Sequence, residues 1–73
     1  MGSTRRYTLA PNAETNEWEL IEEQTRRVVR RFRTKTEATS KGVLEKALGK
    51  TGGSVVIRKK GGVFEEERNF RER

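Results

Sequence analysis

Hydrophobic and polar residues alternate along the first third of the chain. Tyr7 and Leu9 stand between polar or small neighbours from Arg6 to Ala10, and Trp18 and Leu20 recur at the same period from Glu17 to Glu22. Period two predicts strands with one buried face. Pro11 and Asn12 end the first strand, the small polar residues from Asn12 to Asn16 suit a loop, and Ile21 falls on the face opposite Trp18 and Leu20. A third strand is predicted over RRVVRRFR, whose Val28, Val29 and Phe32 are β-branched or aromatic. The intervening Glu23-Gln24-Thr25 contains no glycine, yet a reversal there sets an acidic second strand beside a basic third, with Glu-to-Arg pairs across them.

At Thr34 the period changes. Thr34 as N-cap with Glu37 three residues on makes a capping box, and Phe32 precedes it as a hydrophobic staple. The predicted helix runs from Lys35 to Lys50. Ala38, Leu44, Ala47 and Leu48 form its core stripe, Val43 lies at the margin, and Lys41, Glu45, Lys46 and Lys50 face water. Gly42 weakens this helix slightly, and Gly49, or the pair Gly52 and Gly53, supplies the left-handed stop. Ser54 to Lys59 then reads as a strand whose run Val55-Val56-Ile57 is covered in part on both faces, and Gly61-Gly62 is a hairpin turn. Val63 to Arg68 returns as the last strand, with Phe64 and Phe70 on one face, and the charged tail from Arg71 is expected to fray. The predicted fold class is therefore α+β. It is a small two-layer domain, β-β-β-α-β-β, with one helix packed on an antiparallel sheet, and residues 1–73 form a single domain with an ordered core of about residues 5–70.

Composition limits what such a domain contains. With 73 residues and 30% hydrophobic content, few large apolar side chains are available for a core. Cysteine and histidine are absent, which removes disulfides and ordinary zinc sites and leaves packing or oligomerisation to supply stability, so a homodimer is one expectation. No apolar run approaches the roughly 18 to 20 residues of a membrane span, and MGSTRRYTLAPN lacks a secretory leader's apolar stretch. A cytoplasmic protein is expected, with no membrane partner.

Charge adds the functional clue. The net charge is +6, and its signs are segregated: Glu17, Glu19, Glu22 and Glu23 cluster in one segment and Glu65, Glu66 and Glu67 in another. Six cations lie between Arg26 and Lys35 with no acid among them. Strict alternation on the third strand sets Val28, Arg30 and Phe32 on the helix side and Arg27, Val29, Arg31 and Arg33 on the open face. Arg27, Arg31 and Arg33, joined there by Arg5 or Arg6 and by Arg58, are candidates for phosphate contacts, each adding roughly one unit of salt dependence. Lys59 and Lys60 are peripheral candidates. Duplex DNA or another polyanion is the expected partner, bound with little sequence preference. The competing reading is that the glutamates neutralise these arginines across the sheet, leaving a solvated or protein-binding face. Sign segregation fits both, and strand order decides between them.

Other chemistry is scarce. Without histidine, cysteine or aspartate no acid-base or nucleophile pair stands out, so neither enzymatic activity nor a small-molecule substrate or cofactor is expected. Successive Glu65, Glu66 and Glu67 alternate in direction and so make a poor metal cluster. Lys59-Lys60-Gly61-Gly62 connects strands and does not open a helix, which removes the geometry of a phosphate-cradling loop. Trp18 is the single tryptophan, open to two readings: core residue, or platform for a stacked base.

The landmarks Tyr7, Trp18, Phe32-x-Thr34-Lys35-x-Glu37-Ala38, Val55-Val56-Ile57, Lys60-Gly61-Gly62-Val63 and Arg68-Asn69-Phe70 span almost the whole chain. In this order they resemble a family of small prokaryotic proteins classed as a domain of unknown function. The resemblance implies a fold and no activity. The chain departs from that family's pattern in having Gly61-Gly62 where an acid-glycine turn is usual, and in its longer first connection. A second, local resemblance rests on Trp18-x-x-x-x-Glu23, the basic third strand and Phe32-x-Thr34-x-x-Glu37-Ala38. These look like the core of the plant ethylene-response-factor DNA-binding domain and its phage-integrase relatives, covering about half of the chain. That likeness implies major-groove reading by the sheet face away from the helix, although the first-strand arginine motif is absent.

Overall fold

The alternating segments form strands in a computed structural model, which describes residues 5–71. Strands β1 (Arg6–Pro11), β2 (Trp18–Glu22) and β3 (Arg27–Phe32) make an antiparallel meander. A helical crossover follows, and β4 (Gly53–Arg58) and β5 (Phe64–Phe70) close the sheet as a hairpin. The order across the sheet is β3-β2-β1-β4-β5. The α+β class stands, but the sheet is mixed, because β4 returns beside β1 in the parallel direction. Parallel neighbours need a long crossover, and the helical segment between β3 and β4 provides it. The tail residues beyond Arg71, and residues 1–4, lie outside the described part.

Thr34 caps the crossover as expected: its hydroxyl accepts from the Glu37 N–H at 3.0 Å, while the Glu37 carboxylate accepts from the Arg33 N–H at 2.9 Å, one residue earlier than in a standard capping box. The single helix expected from Lys35 to Lys50 is instead broken into α1 (Lys35–Thr39) and α2 (Val43–Leu48). Two local interactions favour the break. The hydroxyls of Thr39 and Ser40 donate back to the carbonyls of Lys35 and Thr36, and Gly42 takes a left-handed conformation at φ 81°. Gly49 ends α2, and its N–H donates to the Glu45 carbonyl.

One face of the sheet is covered. Tyr7, Leu9, Leu20, Phe32, Val55 and Ile57 meet Ala38, Leu44 and Leu48 in the core, with Trp18, Val43, Ala47 and Phe70 half-buried around it. β4 alternates buried and half-buried residues, so Val55 and Ile57 lie under the helices while Val56 faces outward. Trp18, opposite Pro11 and Phe32, lies on the helix side against the core. Phe64 and Phe70 do not share a face. A register shift between Ile57 and Arg58 sets Phe70 opposite Gly53 on the helix side and Phe64 opposite Arg58 on the open side, where it is 56% exposed.

The entry to β4 is sterically tight. Gly52 has φ 62°, and a Cβ there would lie 2.5 Å from the Phe70 carbonyl oxygen, whereas one at Gly42 would meet nothing within 4 Å. Gly52→Ala is expected to cost about 3 kcal/mol in urea unfolding and Gly42→Ala about 1 kcal/mol, since only the former adds a backbone collision to the left-handed penalty.

Candidate polyanion-binding edge

β3 is the outermost strand on its side, and every residue from Arg27 to Arg31 is exposed; only Phe32 is buried. Its pairing with β2 is interrupted. Phe32, Arg31 and Arg30 oppose Trp18, Glu19 and Leu20, after which the register shifts so that Val28 opposes Ile21 and Arg27 opposes Glu22. Val29 is the extra residue of this β-bulge.

The bulge changes the faces. Residues directly opposite share a face, so Arg27 joins Glu22, Tyr7 and Leu20 on the helix side, while Arg31 lies with Glu19 on the open side. The expected open-face cluster of Arg27, Arg31 and Arg33 is thus divided. Arg30 shares the helix-side face of Leu20 but is exposed. Arg33 follows β3 and is also exposed, with its N–H tied to Glu37.

Strand order also balances the open face. Arg6, Arg31 and Arg58 occupy open-face positions, and so do Glu19, Glu23 and Glu67. Glu23 donates its N–H to the Arg6 carbonyl and accepts from the Thr8 hydroxyl, which fixes it on that side. Arg31 Nε donates to Glu19 Oε2 at 3.3 Å, and Asn12 Nδ2 donates to the same oxygen at 3.2 Å. The remaining candidates are distant from β3. Arg58 lies three strands across, about 14 Å away. Its guanidinium donates to the Gly62 carbonyl at 2.9 Å, and Lys59 and Lys60 occupy the same turn.

What the fold does gather is an arginine ridge along the β3 edge. Arg26, Arg27, Arg30, Arg31 and Arg33 are all exposed, and among the described residues only Arg31 of these five forms an ion pair. Glu22 opposes Arg27 but does not neutralise it through contact. Its carboxylate instead accepts from the Thr25 hydroxyl at 2.5 Å and the Thr25 N–H at 3.0 Å. These bonds, the hydroxyl's first, hold the Glu22 carboxyl below its ordinary pKa, with Arg5 assisting through its charge. They also brace a turn in which Arg26 adopts φ 63°, unusual for a side chain of its size, with its N–H donating to the Glu22 carbonyl. Sequence alternation missed Arg30 and Arg26. The doublets in RRVVRR, which cannot alternate strictly, were the available signal. Beside Tyr7 and Glu22 a shallow cleft of about 400 Å³ opens, lined also by Arg5, Arg27, Val28 and Val29.

Lys35 and Glu65 form an ion pair between the start of α1 and β5, and the Lys35 hydrogen bond is the leading cause that lowers the Glu65 pKa. Among the described residues no group of acidic side chains is placed to hold a metal ion. No helix there is long and apolar enough to cross a membrane.

Over residues 7–70 the chain matches, and so belongs to, the family described as "Uncharacterized protein conserved in bacteria (DUF2188)". No curated protein and no solved structure matches it.

The Glu22 contacts set an acid dependence. A carboxyl whose pKa is lowered by folding contributes stability above its unfolded value, and that contribution disappears as pH falls through the folded value. Thermal unfolding of Glu22→Gln should therefore lose less stability than the parent on acidification below about pH 4.3, the ordinary glutamate value. A parallel fall in both proteins would remove Glu22 as the cause.

Proposed function

We propose that this chain is a binding module that grips the phosphate backbone of duplex DNA along its β3 edge. The observation supporting this reading is the set of four exposed arginines, Arg26, Arg27, Arg30 and Arg33, that form no ion pair among the described residues. Glu19 and Glu22 lie buried behind the ridge, so its outer surface is cationic. From Arg27 to Arg33 an extended chain spans about 20 Å. Each DNA strand carries one phosphate charge per about 3.4 Å of helix axis, so a ridge of this length can meet several at once.

The placement differs from the sheet-face reading implied by the ethylene-response-factor likeness. Trp18 is turned to the core, and the open face carries balanced charge. Neither feature suits base reading in the major groove. Phosphate contact through a flanking edge carries little sequence information, so weak base preference follows.

A second reading draws on the exposure of Val28 and Val29, at 38% and 41%. An edge strand with exposed valines can add a strand from a protein partner, and its arginines would then serve to prevent indiscriminate edge pairing. That reading requires no salt-sensitive nucleic-acid binding.

Titration of a labelled duplex at several salt concentrations separates them. Four phosphate contacts predict a slope of log K against log salt of about −4. Arg27→Glu/Arg30→Glu/Arg33→Glu should abolish binding. Arg31→Glu alone should weaken it less than Arg30→Glu alone, because Arg31 is already paired with Glu19. No binding at low salt, or a triple variant that binds like the parent, refutes the DNA reading.

A further inference from the structure

Among the described residues no layer covers the open face of the sheet, whose residues fall into register rows. One row runs Val28, Ile21, Thr8, Val56 and Glu67 from β3 to β5. The next holds Arg31, Glu19 and Ala10, with Arg58 and Phe64 on the far side. Ile21, Thr8, Ala10 and Val56 are half-buried in the single chain, so the centre of the face is small or apolar while its charges flank it. The three arginines and three glutamates on this face cancel, although the chain as a whole carries +6.

We propose that this face is a two-fold interface with a second copy of the chain. An axis running along β1, midway between two facing sheets, exchanges β2 with β4 and β3 with β5. Ile21 of one copy then lies over Val56 of the other. Thr8 and Ala10 fall on the axis and meet their own counterparts, and both are small enough for close approach. The Arg31–Glu19 pair is brought over Phe64 and Arg58 of the second copy, setting a guanidinium on an exposed ring and a carboxylate beside a guanidinium. Arg6 also lies near the axis, at the rim, with Glu23 beside it on the same face.

Charge favours this occupant over a β3-to-β3 edge pair. Joining two β3 edges would bring the arginine ridges together, and like charges facing across strands are destabilising. Face-to-face docking is neutral. Five strands about 4.8 Å apart and about 20 Å long offer roughly 500 Å² of flat face per copy. Both copies together reach roughly the lower limit of a specific interface. The dimer is therefore expected to be concentration-dependent, and it leaves Arg27 and Arg30, on the helix side of β3, outside the contact.

Sedimentation velocity across a concentration series tests the proposal on the full chain. The parent should change from monomer to dimer, and Ile21→Arg and Val56→Arg should each raise the dissociation constant by at least about tenfold. Circular dichroism melts check that both variants fold. Thr8→Cys and Ala10→Cys each introduce a lone thiol on the axis of a cysteine-free chain. A short bis-maleimide should link each to its counterpart faster than it links Val63→Cys, although Val63 is 59% exposed. A parent that stays monomeric throughout, or equal cross-linking at positions 8, 10 and 63, overturns the proposal. Duplex binding by Ile21→Arg should be no weaker per copy than that of the parent, so this interface and the DNA reading stand or fall separately.

Discussion

The parallel pairing of β1 with β4 governs the rest of the molecule. Tyr7 opposite Val55 and Leu9 opposite Ile57 put four core residues side by side at the sheet's centre. Parallel neighbours cannot be joined by a tight turn, so the chain must leave β3, cross the sheet and enter β4 from the other end. The crossover carries Ala38, Leu44 and Leu48 onto the face already defined by those four residues, and it closes the only core cluster among the described residues. It also fixes where β3 ends up. Because the space beside β1 is taken by β4, the meander can extend only outward, and the most basic strand becomes an edge.

An edge position changes what the arginines mean. On an interior strand, residues such as Arg27 and Arg30 would oppose neighbours on both sides and lie partly buried, a costly place for charge without a partner. On β3 they oppose β2 alone and remain in water. The acidic second strand contributes two carboxylates near them, and each is held in a different way. Glu19 pairs with Arg31 and Asn12, whereas Glu22 turns to Thr25 and stabilises the reversal that starts β3. The acids therefore serve the sheet and the turn more than they quench the ridge.

Much of this was legible in the sequence. Period-two alternation around Tyr7-x-Leu9 and Trp18-x-Leu20 located the strands and their core faces, the Thr34 and Glu37 cap located the helix start, and Gly61-Gly62 located the last reversal. Each is a local signal that the structure preserves. The misses were of two kinds. The parallel β1–β4 pair and the strand order arise from packing among distant segments, which no local pattern encodes. The bulges at Val29 and before Glu66 insert one residue and invert the face of everything beyond them, so strict alternation misplaced Arg27 and paired Phe64 with Phe70. The helix break at Ser40 belongs between the two kinds: Thr39, Ser40 and Gly42 were visible, but their combined effect exceeds that of Gly42 alone.

The same bulge links the sheet's two outer surfaces. Without it, Arg27 would stand on the open face and Val28 on the helix side. Val29 would take the place of Val28 opposite Ile21, the open face would gain a cation, and two copies would meet across an excess of positive charge. With it, Val28 completes the row that includes Ile21, Thr8 and Val56, while Arg27 moves to the face of Arg30. One inserted residue thus separates charge from apolar surface. The edge is left cationic on both sides, which opposes pairing with another β3, and the open face is left neutral, which permits self-association. The two surfaces share only Arg31, which is already paired with Glu19, while Arg27 and Arg30 lie on the other side of the sheet from the open face.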